Sequence, residues 1–428
     1  MIGNWENIKF GTIASFRNGL NFTKNSHGKG LKLIGVPDFQ DYFKPVYRSL
    51  SEISIIETLK EDDYLKKGDI LFVRSNGNKA LVGRSLFIDK PITAVFSGFC
   101  IRARIISKGV CPLFYAYFSR TEKFRALLSA ASGGTNIQNL NQKILNNVLV
   151  PRPPIEIQQK IASILSAYDD LIENNLRRID LNCELAETMF LSLFNNKVNW
   201  GEFELNEVSK YFGRGVTPKY EEGTGLYGIN QKANKGLTLN KDVFKEYRKG
   251  DWIPVEKYAS KGDVLINSLG EGTIGRVHYY MGDNKKFPVD QHISIFRAKN
   301  MAVGLFVFQF FNSEYGQGHL HTLKKGGTNM TMLNIGDLRK VRIRMPSSDI
   351  LENYYKSVID LFKAKAILEK KNELLKEARD ILLPRLMTGM IDPSEISGQV
   401  MENLDLEEIK EQPLDMVAED ELNYSREK

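Results

Sequence analysis

The sequence is poor in cysteine, and this excludes the simplest structures that cysteine builds. Its 428 residues contain 3 cysteines, Cys100, Cys111 and Cys183. A disulfide framework needs paired thiols, and a zinc site needs ligands grouped at short spacings. Three thiols at these wide spacings offer neither arrangement, so we expect free cysteines inside the protein.

Signals for membrane insertion and export are missing as well. No run approaches the roughly 18 apolar residues of a membrane span, although 42% of the residues are hydrophobic. The first residues, Met1–Trp5, show no basic segment leading into an apolar stretch and a cleavage site. These absences predict a cytoplasmic protein without a membrane helix.

The motifs that bind nucleotides or transfer methyl groups are missing or poorly formed. The chain has no P-loop, and it lacks the Asn/Asp-Pro-Pro-Tyr/Phe signature of methyltransferases. A formal G-x-G-x-x-G spans Gly270–Gly275, but the segment that follows it, Arg276–Tyr280, is strand-like. A cofactor-binding unit needs a helix at that point. We interpret the glycines as a hairpin turn, and a small methyltransferase that uses this turn is the alternative.

Positive charge is concentrated in the body of the chain. The formal net charge is +7, yet residues 390–428 hold 12 acidic and 3 basic residues, which leaves 56 basic and 40 acidic residues in 1–389. A body with this excess of positive charge suits a polyanion such as nucleic acid, because each Lys or Arg that meets a phosphate releases counterions. The acidic segment is typical of a flexible or partner-binding tail.

The chain contains a long internal repeat, whose two copies share short blocks at an offset of 192 to 195 residues. The matched blocks are Asn4-Trp5 with Asn199-Trp200, Lys67–Leu71 with Lys261–Leu265, Gly83-Arg84 with Gly275-Arg276, Gly133–Asn136 with Gly326–Asn329, and Leu140-Asn141 with Leu333-Asn334. A nearly constant offset over this many matches indicates a duplication, and a duplication at this period predicts two copies of one domain.

Each half has the pattern of a mainly β domain. Short β-branched and aromatic runs alternate with Gly, Asn and Pro, as at Asp69–Arg74, Ser85–Ile88 and Phe99–Ile106. A helical pattern then closes each half, at Pro112–Ala131 and Ala302–Leu320. The fold class predicted for each domain is therefore α+β, with the sheet dominant.

A segment almost free of Gly and Pro follows each domain and carries the apolar spacing of a coiled coil. In the first segment the stripe is Ile161, Leu165, Tyr168, Ile172, Leu176, Ile179, Cys183, Ala186, Phe190 and Leu193. In the second it is Tyr354, Leu361, Leu368, Leu375 and Leu382, with Leu351 and Val358 beside them and Lys365, Asn372 and Arg379 as polar companions. We expect two long helices packed on each other, each a rod of about 60 Å, with the polar companions setting their register.

The order of domain, long helix, similar domain and long helix resembles the specificity subunits of type I restriction-modification systems, over about residues 1–390. Gly-Asp-Ile/Val-Leu and Gly-Gly-Thr-Asn in both halves carry the resemblance, together with Pro153–Ala162 and Asp169–Glu173. The second helix is a poorer copy, because Ile350–Tyr355 lacks the Gln-Gln-Lys-Ile-Ala core of the first.

This resemblance implies an architecture and a set of partners. Two repeated mainly β target-recognition domains, 1–152 and 198–346, would be separated by two long helices that form an antiparallel coiled coil, a central spacer at 153–197 and a distal spacer at 347–389. The tail, 390–428, has no counterpart. Each domain would read one half of an asymmetric bipartite site on double-stranded DNA, and the helices would set the gap and dock two methyltransferase subunits. Endonuclease/translocase subunits would complete the complex. S-adenosylmethionine, ATP and Mg would bind to the partners, and this chain would have no cofactor, catalytic residue or metal.

The residues expected to contact DNA lie in loops rich in the side chains that read base edges and hold phosphates. In the first half they are Arg74, Asn76, Lys79, Arg84, Thr135, Asn136, Gln138 and Asn139, and in the second they are Asn267, Ser268, Arg276, Lys324, Lys325, Thr328 and Asn329. Gly-Gly-Thr-Asn is also a good turn, so its Thr and Asn could instead cap backbone groups. A DNA binder without sequence preference is the remaining alternative.

Overall fold

The computed structural model describes residues 5–22, 28–39, 43–54, 59–78, 81–131, 139–195, 200–270, 272–326 and 331–396. The chain divides into two compact units: one comprises the residues up to Ile172 together with those from Leu374 on, and the other comprises 173–373. Both boundaries fall inside long helices, so each unit contains one domain and a part of each helix. Among the helices described, none is long and apolar enough to span a membrane.

The first unit is an α+β domain built around an antiparallel four-stranded sheet of order β2-β8-β5-β6. A second sheet has the order β4-β3-β7, with β3 parallel to β7, and β1 pairs with β9. Its strands are β1 Glu6–Lys9, β2 Ala14–Asn18, β3 Gly30–Ile34, β4 Ser51–Ser54, β5 Ile70–Val73, β6 Ser85–Phe87, β7 Ala94–Phe96, β8 Cys100–Ile105 and β9 Leu149–Arg152, and its short helices are α1 Pro112–Phe118, α2 Glu122–Ala131 and α3 Gln142–Asn147.

The second unit repeats this plan on a four-stranded antiparallel sheet of order β11-β16-β14-β15. Two long helices, α4 Ile155–Asn195 and α9 Ser348–Met387, follow the two domains. The strands of the second unit are β10 Gly201–Glu204, β11 Ser209–Arg214, β12 Tyr227–Gly228, β13 Lys245–Glu246, β14 Val264–Asn267, β15 Val277–Tyr279, β16 Ile293–Ala298, β17 Lys324–Lys325, β18 Met332–Leu333 and β19 Arg342–Met345, and its short helices are α5 Leu205–Val208, α6 Met301–Asn312, α7 Glu314–Thr322 and α8 Ile335–Arg339.

A buried ion pair fixes the central strands of each sheet in the same way. Asp69, just before β5, accepts two hydrogen bonds of 2.7 Å from Arg104 of β8. Asp263, just before β14, accepts bonds of 2.8 and 2.7 Å from Arg297 of β16. Both carboxylates are almost completely buried, and each also caps the turn before it. The Gly-Asp-Ile/Val-Leu block therefore helps to specify the fold of both units.

The backbone conformation of the turn requires the glycine of the Gly-Asp-Ile/Val-Leu block. Gly68 and Gly262 adopt φ angles of +94° and +90°. Side chains rarely tolerate this left-handed backbone, whereas glycine adopts it at little cost. The turn can therefore place the following aspartate at the start of a buried strand.

In the first unit, parts of the two long helices pack on each other and on the domain. Leu165 and Tyr168 of α4 are buried in the same core as Leu375 and Leu386 of α9. Asp169 of α4 accepts a hydrogen bond of 2.5 Å from Arg379 of α9 and one of 2.6 Å from the hydroxyl of Tyr117 in α1. One carboxylate thus joins both helices to the domain.

In the second unit the two helices run antiparallel. Asn175 of α4 donates a buried hydrogen bond of 2.8 Å to Asn372 of α9, whereas Phe190, further along α4, packs on Tyr354 near the start of α9. Asn372 and Arg379 bond to α4 and Lys365 is buried, so the three expected polar companions lie on the packed side of α9. One expected position is wrong, because Leu176 is 45% exposed and Asn175 faces the partner helix instead. Paired amides fix the register of such a seam at some cost in stability.

Substitution of Asp263 by Asn should loosen the second unit alone. The change removes the paired charge from Arg297, and breaking a buried pair in this way costs about 3 kcal/mol. The matched control is Asp283→Asn, since Asp283 forms an exposed ion pair with Lys286 whose loss should cost less than about 1 kcal/mol. Hydrogen exchange should quicken in β14 and β16 and stay unchanged in β5 and β8. Equal exchange in β14 for both variants would contradict the assignment.

Candidate nucleic-acid interface

Antiparallel pairing gathers four chain segments at one edge of each four-stranded sheet. We call this the loop edge. In the first unit it is formed where β2 and β5 end and β8 and β6 begin, which brings together Asn18, Arg74, Phe99 and Arg84. In the second unit the same strand ends bring together Arg214, Ser268, His292 and Arg276. Predicted DNA-contacting residues of both halves are therefore neighbours at equivalent edges.

The two loop edges share a frame of backbone hydrogen bonds. In the first unit the amide of Arg74 donates to the carbonyl of Phe99 at 2.7 Å, and the amide of Leu140 donates to the carbonyl of Arg74 at 2.8 Å. In the second, Ser268 and His292 make the first bond at 2.8 Å, and Leu333 and Ser268 make the second at 2.9 Å. Because these bonds involve only the backbone, side chains at the loop edge can differ while the loops keep their shape.

Polar side chains of the first unit are partly exposed at its loop edge. Arg74 is half-buried and donates a long hydrogen bond of 3.5 Å to the carbonyl of Gly98. Asn76 accepts a bond of 2.8 Å from the amide of Asn78, so its oxygen stabilises a turn. Arg84 is half-buried and Asn139 is exposed. The two arginines supply positive charge at this edge, next to amide side chains of the kind that read adenine.

Two predicted residues of the second unit lie in the interior. Asn267 and Ser268 are completely buried. Asn267 donates to the carbonyls of Gln231 and Thr273 at 2.8 and 3.2 Å, and the hydroxyl of Ser268 lies 2.7 Å from that of Ser294. We correct their expected direct contact with DNA to a positioning role, because both side chains hold the turn together.

The arginines of the second loop edge are held in fixed positions by carbonyl groups. Arg276 donates hydrogen bonds to the carbonyls of Asn234 and Gly272 at 3.4 and 3.0 Å. Arg214 donates to the carbonyl of Leu333 at 2.6 Å, and burial lowers the pKa of its guanidinium. Sequence reasoning missed Arg214, although its place at the end of β11 matches that of Asn18 at the end of β2.

The G-x-G-x-x-G segment is a hairpin turn, as expected. Strands β14 and β15 on either side of it are antiparallel neighbours, with Ile266 opposite Val277. Gly270, Gly272 and Gly275 all have positive φ angles, and residues 272–275 form turns rather than a helix. The described residues of this stretch, 270 and 272–275, form no helix N-terminus to face a phosphate, so they lack the geometry that a dinucleotide or S-adenosylmethionine site of this type requires.

Lys324 and Lys325 form the short strand β17 beside the second loop edge. Strand β17 pairs with β18, and Met332 of β18 bridges to Leu269. Lys325 is 65% exposed at its side chain and forms an ion pair of 2.6 Å with Asp337. Lys324 is partly buried, and two lysines at this place suit contact with a phosphate backbone.

Part of the predicted set lies outside the described residues: Lys79, Thr135, Asn136, Gln138, Thr328 and Asn329. Their contact with DNA stays a prediction.

His319 and His321 lie in α7. Across the ranges that the structure describes, no group of three His, Cys, Asp or Glu side chains is placed to hold a metal ion.

The duplicated units match one known domain family. The family model described as the type I restriction modification DNA specificity domain matches residues 2–181 and again residues 197–377. The chain belongs to this family. Each match covers one domain and most of the long helix that follows it, so the family unit coincides with the internal repeat.

Several curated relatives resemble the chain over most of its length. The MjaIX type I restriction enzyme specificity subunit of Methanocaldococcus jannaschii is 25% identical over 407 residues, which cover 87% of this chain and 89% of the relative. The HindI specificity subunit of Haemophilus influenzae is 23% identical over 412 residues, covering 76% of this chain and 87% of the relative. The solved S subunit of a type I restriction-modification system from M. genitalium, at 16% identity, has a TM-score of 0.53, with 90% of this chain and 96% of that one covered. That likeness shows the fold.

Replacement of Lys324 and Lys325 by Ala should weaken binding to every DNA sequence alike. Each phosphate contact releases counterions on binding. Loss of one contact should therefore make the slope of log affinity against log salt concentration shallower by about one unit. Binding of the assembled complex to target and random duplexes across a salt series measures this slope. Lys363→Ala is the control, because Lys363 lies on α9 and pairs with Asp360. A double variant with the wild-type slope would exclude phosphate contact at β17.

Proposed function

We propose that this chain is the DNA sequence-specificity subunit of a type I restriction-modification complex, in which each repeated unit reads one half of an asymmetric, bipartite DNA site. The observation that carries the proposal is the pair of loop edges, which share one backbone frame and display different side chains. A common frame places side chains at equivalent positions, and different side chains at those positions select different bases.

The partners in the proposal supply the chemistry. Methyltransferase subunits would bind S-adenosylmethionine and methylate adenines, and endonuclease/translocase subunits would use ATP and Mg. The long helices α4 and α9 would set the gap between half-sites and dock two methyltransferase subunits. Membership of the family and the similarity, over most of the chain, to type I restriction enzyme specificity subunits support this assignment. This chain would contribute recognition and no catalytic residue, cofactor site or metal.

Mapping of methylated adenines tests the proposal directly. We expect co-expression of this chain with its cognate methyltransferase subunits to methylate adenines within two short defined segments that are separated by a gap of constant length. Expression of the methyltransferase subunits without this chain is the control and should give no such pattern. A contiguous motif, or an identical pattern without this chain, would contradict the proposal.

A binder without sequence preference predicts a different result in competition. If the assembled complex reads sequence, unlabelled random duplex should compete far less well than duplex carrying the mapped motif, since specific sites bind roughly a thousandfold or more tighter. Equal competition by the two duplexes at physiological salt would favour the architectural alternative.

The chain alone should not bind S-adenosylmethionine, because the Gly270–Gly275 turn joins antiparallel strands. Titration calorimetry of the purified chain, with the assembled methyltransferase complex as the positive control, checks this expectation. Gly272→Trp separates the two accounts. Its Cβ would meet no atom within 4 Å, but the φ angle of +74° strains any side chain there, so the thermal melting of the variant must match that of the wild type. Saturable binding by the wild type that this variant abolishes would overturn the non-catalytic assignment.

A further inference from the structure

One position of the repeat presents an aromatic or imidazole ring at both loop edges. Phe99 immediately precedes β8 and His292 immediately precedes β16, at the repeat offset of 193 residues. The carbonyl groups of the two residues accept the equivalent bonds from Arg74 and Ser268 described above. The equivalence therefore rests on matching hydrogen bonds as well as on sequence spacing. Sequence reasoning missed both residues. It assigned Phe99 to a strand rather than to a loop that contacts DNA.

Phe99 is a large apolar side chain held at the surface by a rigid turn. Phe99 is 60% exposed. Its amide donates to the hydroxyl of Ser97 at 3.3 Å, and the neighbouring amide of Gly98 donates to the carbonyl of Leu20 at 2.6 Å. These bonds hold the backbone that carries the ring at the loop edge. The half-buried guanidinium of Arg74 lies beside this turn.

His292 is held in one orientation by a buried carboxylate. Asp290 is completely buried and accepts hydrogen bonds from Nδ1 of His292, from the amide of His292 at 2.8 Å and from the hydroxyl of Tyr220 at 2.6 Å. With the Nδ1 proton directed at Asp290, a neutral ring carries its acceptor at Nε2. The side chain of His292 is 34% exposed, so the ring is accessible at the loop edge.

Resting on the function proposed above, we propose that Phe99 and His292 contact bases in the major groove and make the two half-sites different. Phenylalanine offers an apolar contact that suits the methyl group of thymine. The Nε2 acceptor of a neutral histidine suits the exocyclic amino group of adenine or cytosine. The chain would thus present an apolar probe at one edge and a hydrogen-bond acceptor at the other, on the same frame.

The first test changes Phe99 and uses a matched control beyond the other end of the same strand. Ile106 immediately follows β8 and is 62% exposed. Phe99→Ala should lower the preference for thymine at one position of one half-site by about tenfold, as measured by methylation of a randomised target library, and leave the other half-site unchanged. Ile106→Ala should leave both half-sites unchanged.

The second test changes the equivalent ring. His292→Phe should abolish the preference for adenine or cytosine at one position of the other half-site. Tyr220→Phe is its control, because it removes a different hydrogen bond to Asp290 and leaves the imidazole in place. Thermal melting of both variants should match that of the wild type, so that a change of preference reports the lost base contact rather than a loss of folding.

The outcomes separate this inference from the function on which it rests. A wild-type chain that directs no split motif overturns the proposed function and this inference with it. A split motif that Phe99→Ala and His292→Phe leave unchanged overturns the inference alone. A change of preference in both half-sites for a single variant also overturns it, because the position would then act through the fold rather than through a base.

Discussion

The clamp between an aspartate and an arginine on neighbouring strands is the constraint on which each unit depends. Asp69 with Arg104, and Asp263 with Arg297, lock the central strands at the end of the sheet away from the loop edge. A slip of one residue would turn every side chain of a strand to the other face. It would also change which residues emerge at the loop edge. The register that the clamp sets therefore decides which side chains can meet DNA.

Backbone and side chains have separate tasks at the loop edge. Amides and carbonyls hold the loops, and Asn267 adds internal hydrogen bonds that keep the second hairpin in shape. Exposed side chains such as Phe99 contribute little to this frame. Their replacement changes what the surface presents without removing the bonds that hold it. The same scaffold can therefore address different sequences in its two copies.

The sequence predicts the architecture well because the repeat is an independent observation of the fold. The duplicated blocks, the β runs and the two long helices all emerge from pattern and offset, and the glycine-rich turn is recognised by the strand after it. The sites are harder to predict. Asn267 and Ser268 are polar residues at the end of a strand, and only the tertiary packing shows that they point inward. Leu176 and Asn175 both fit a helical spacing of three or four residues, so the spacing alone cannot choose between them.

The polar layers of the helix seam have a consequence for how two copies of the chain meet. The repeat offset of 193 relates Asn175 and Asn372 to Leu368 and Ile179, which pack together in the second unit. Two α4 helices paired like with like would place each Asn175 opposite an Ile179 and leave a buried amide without its partner. Leaving a buried amide without a partner costs more free energy than a hydrogen bond between two amides contributes to stability. This one polar layer therefore disfavours the pairing of a long helix with a second copy of itself, although the two halves of the chain are repeats.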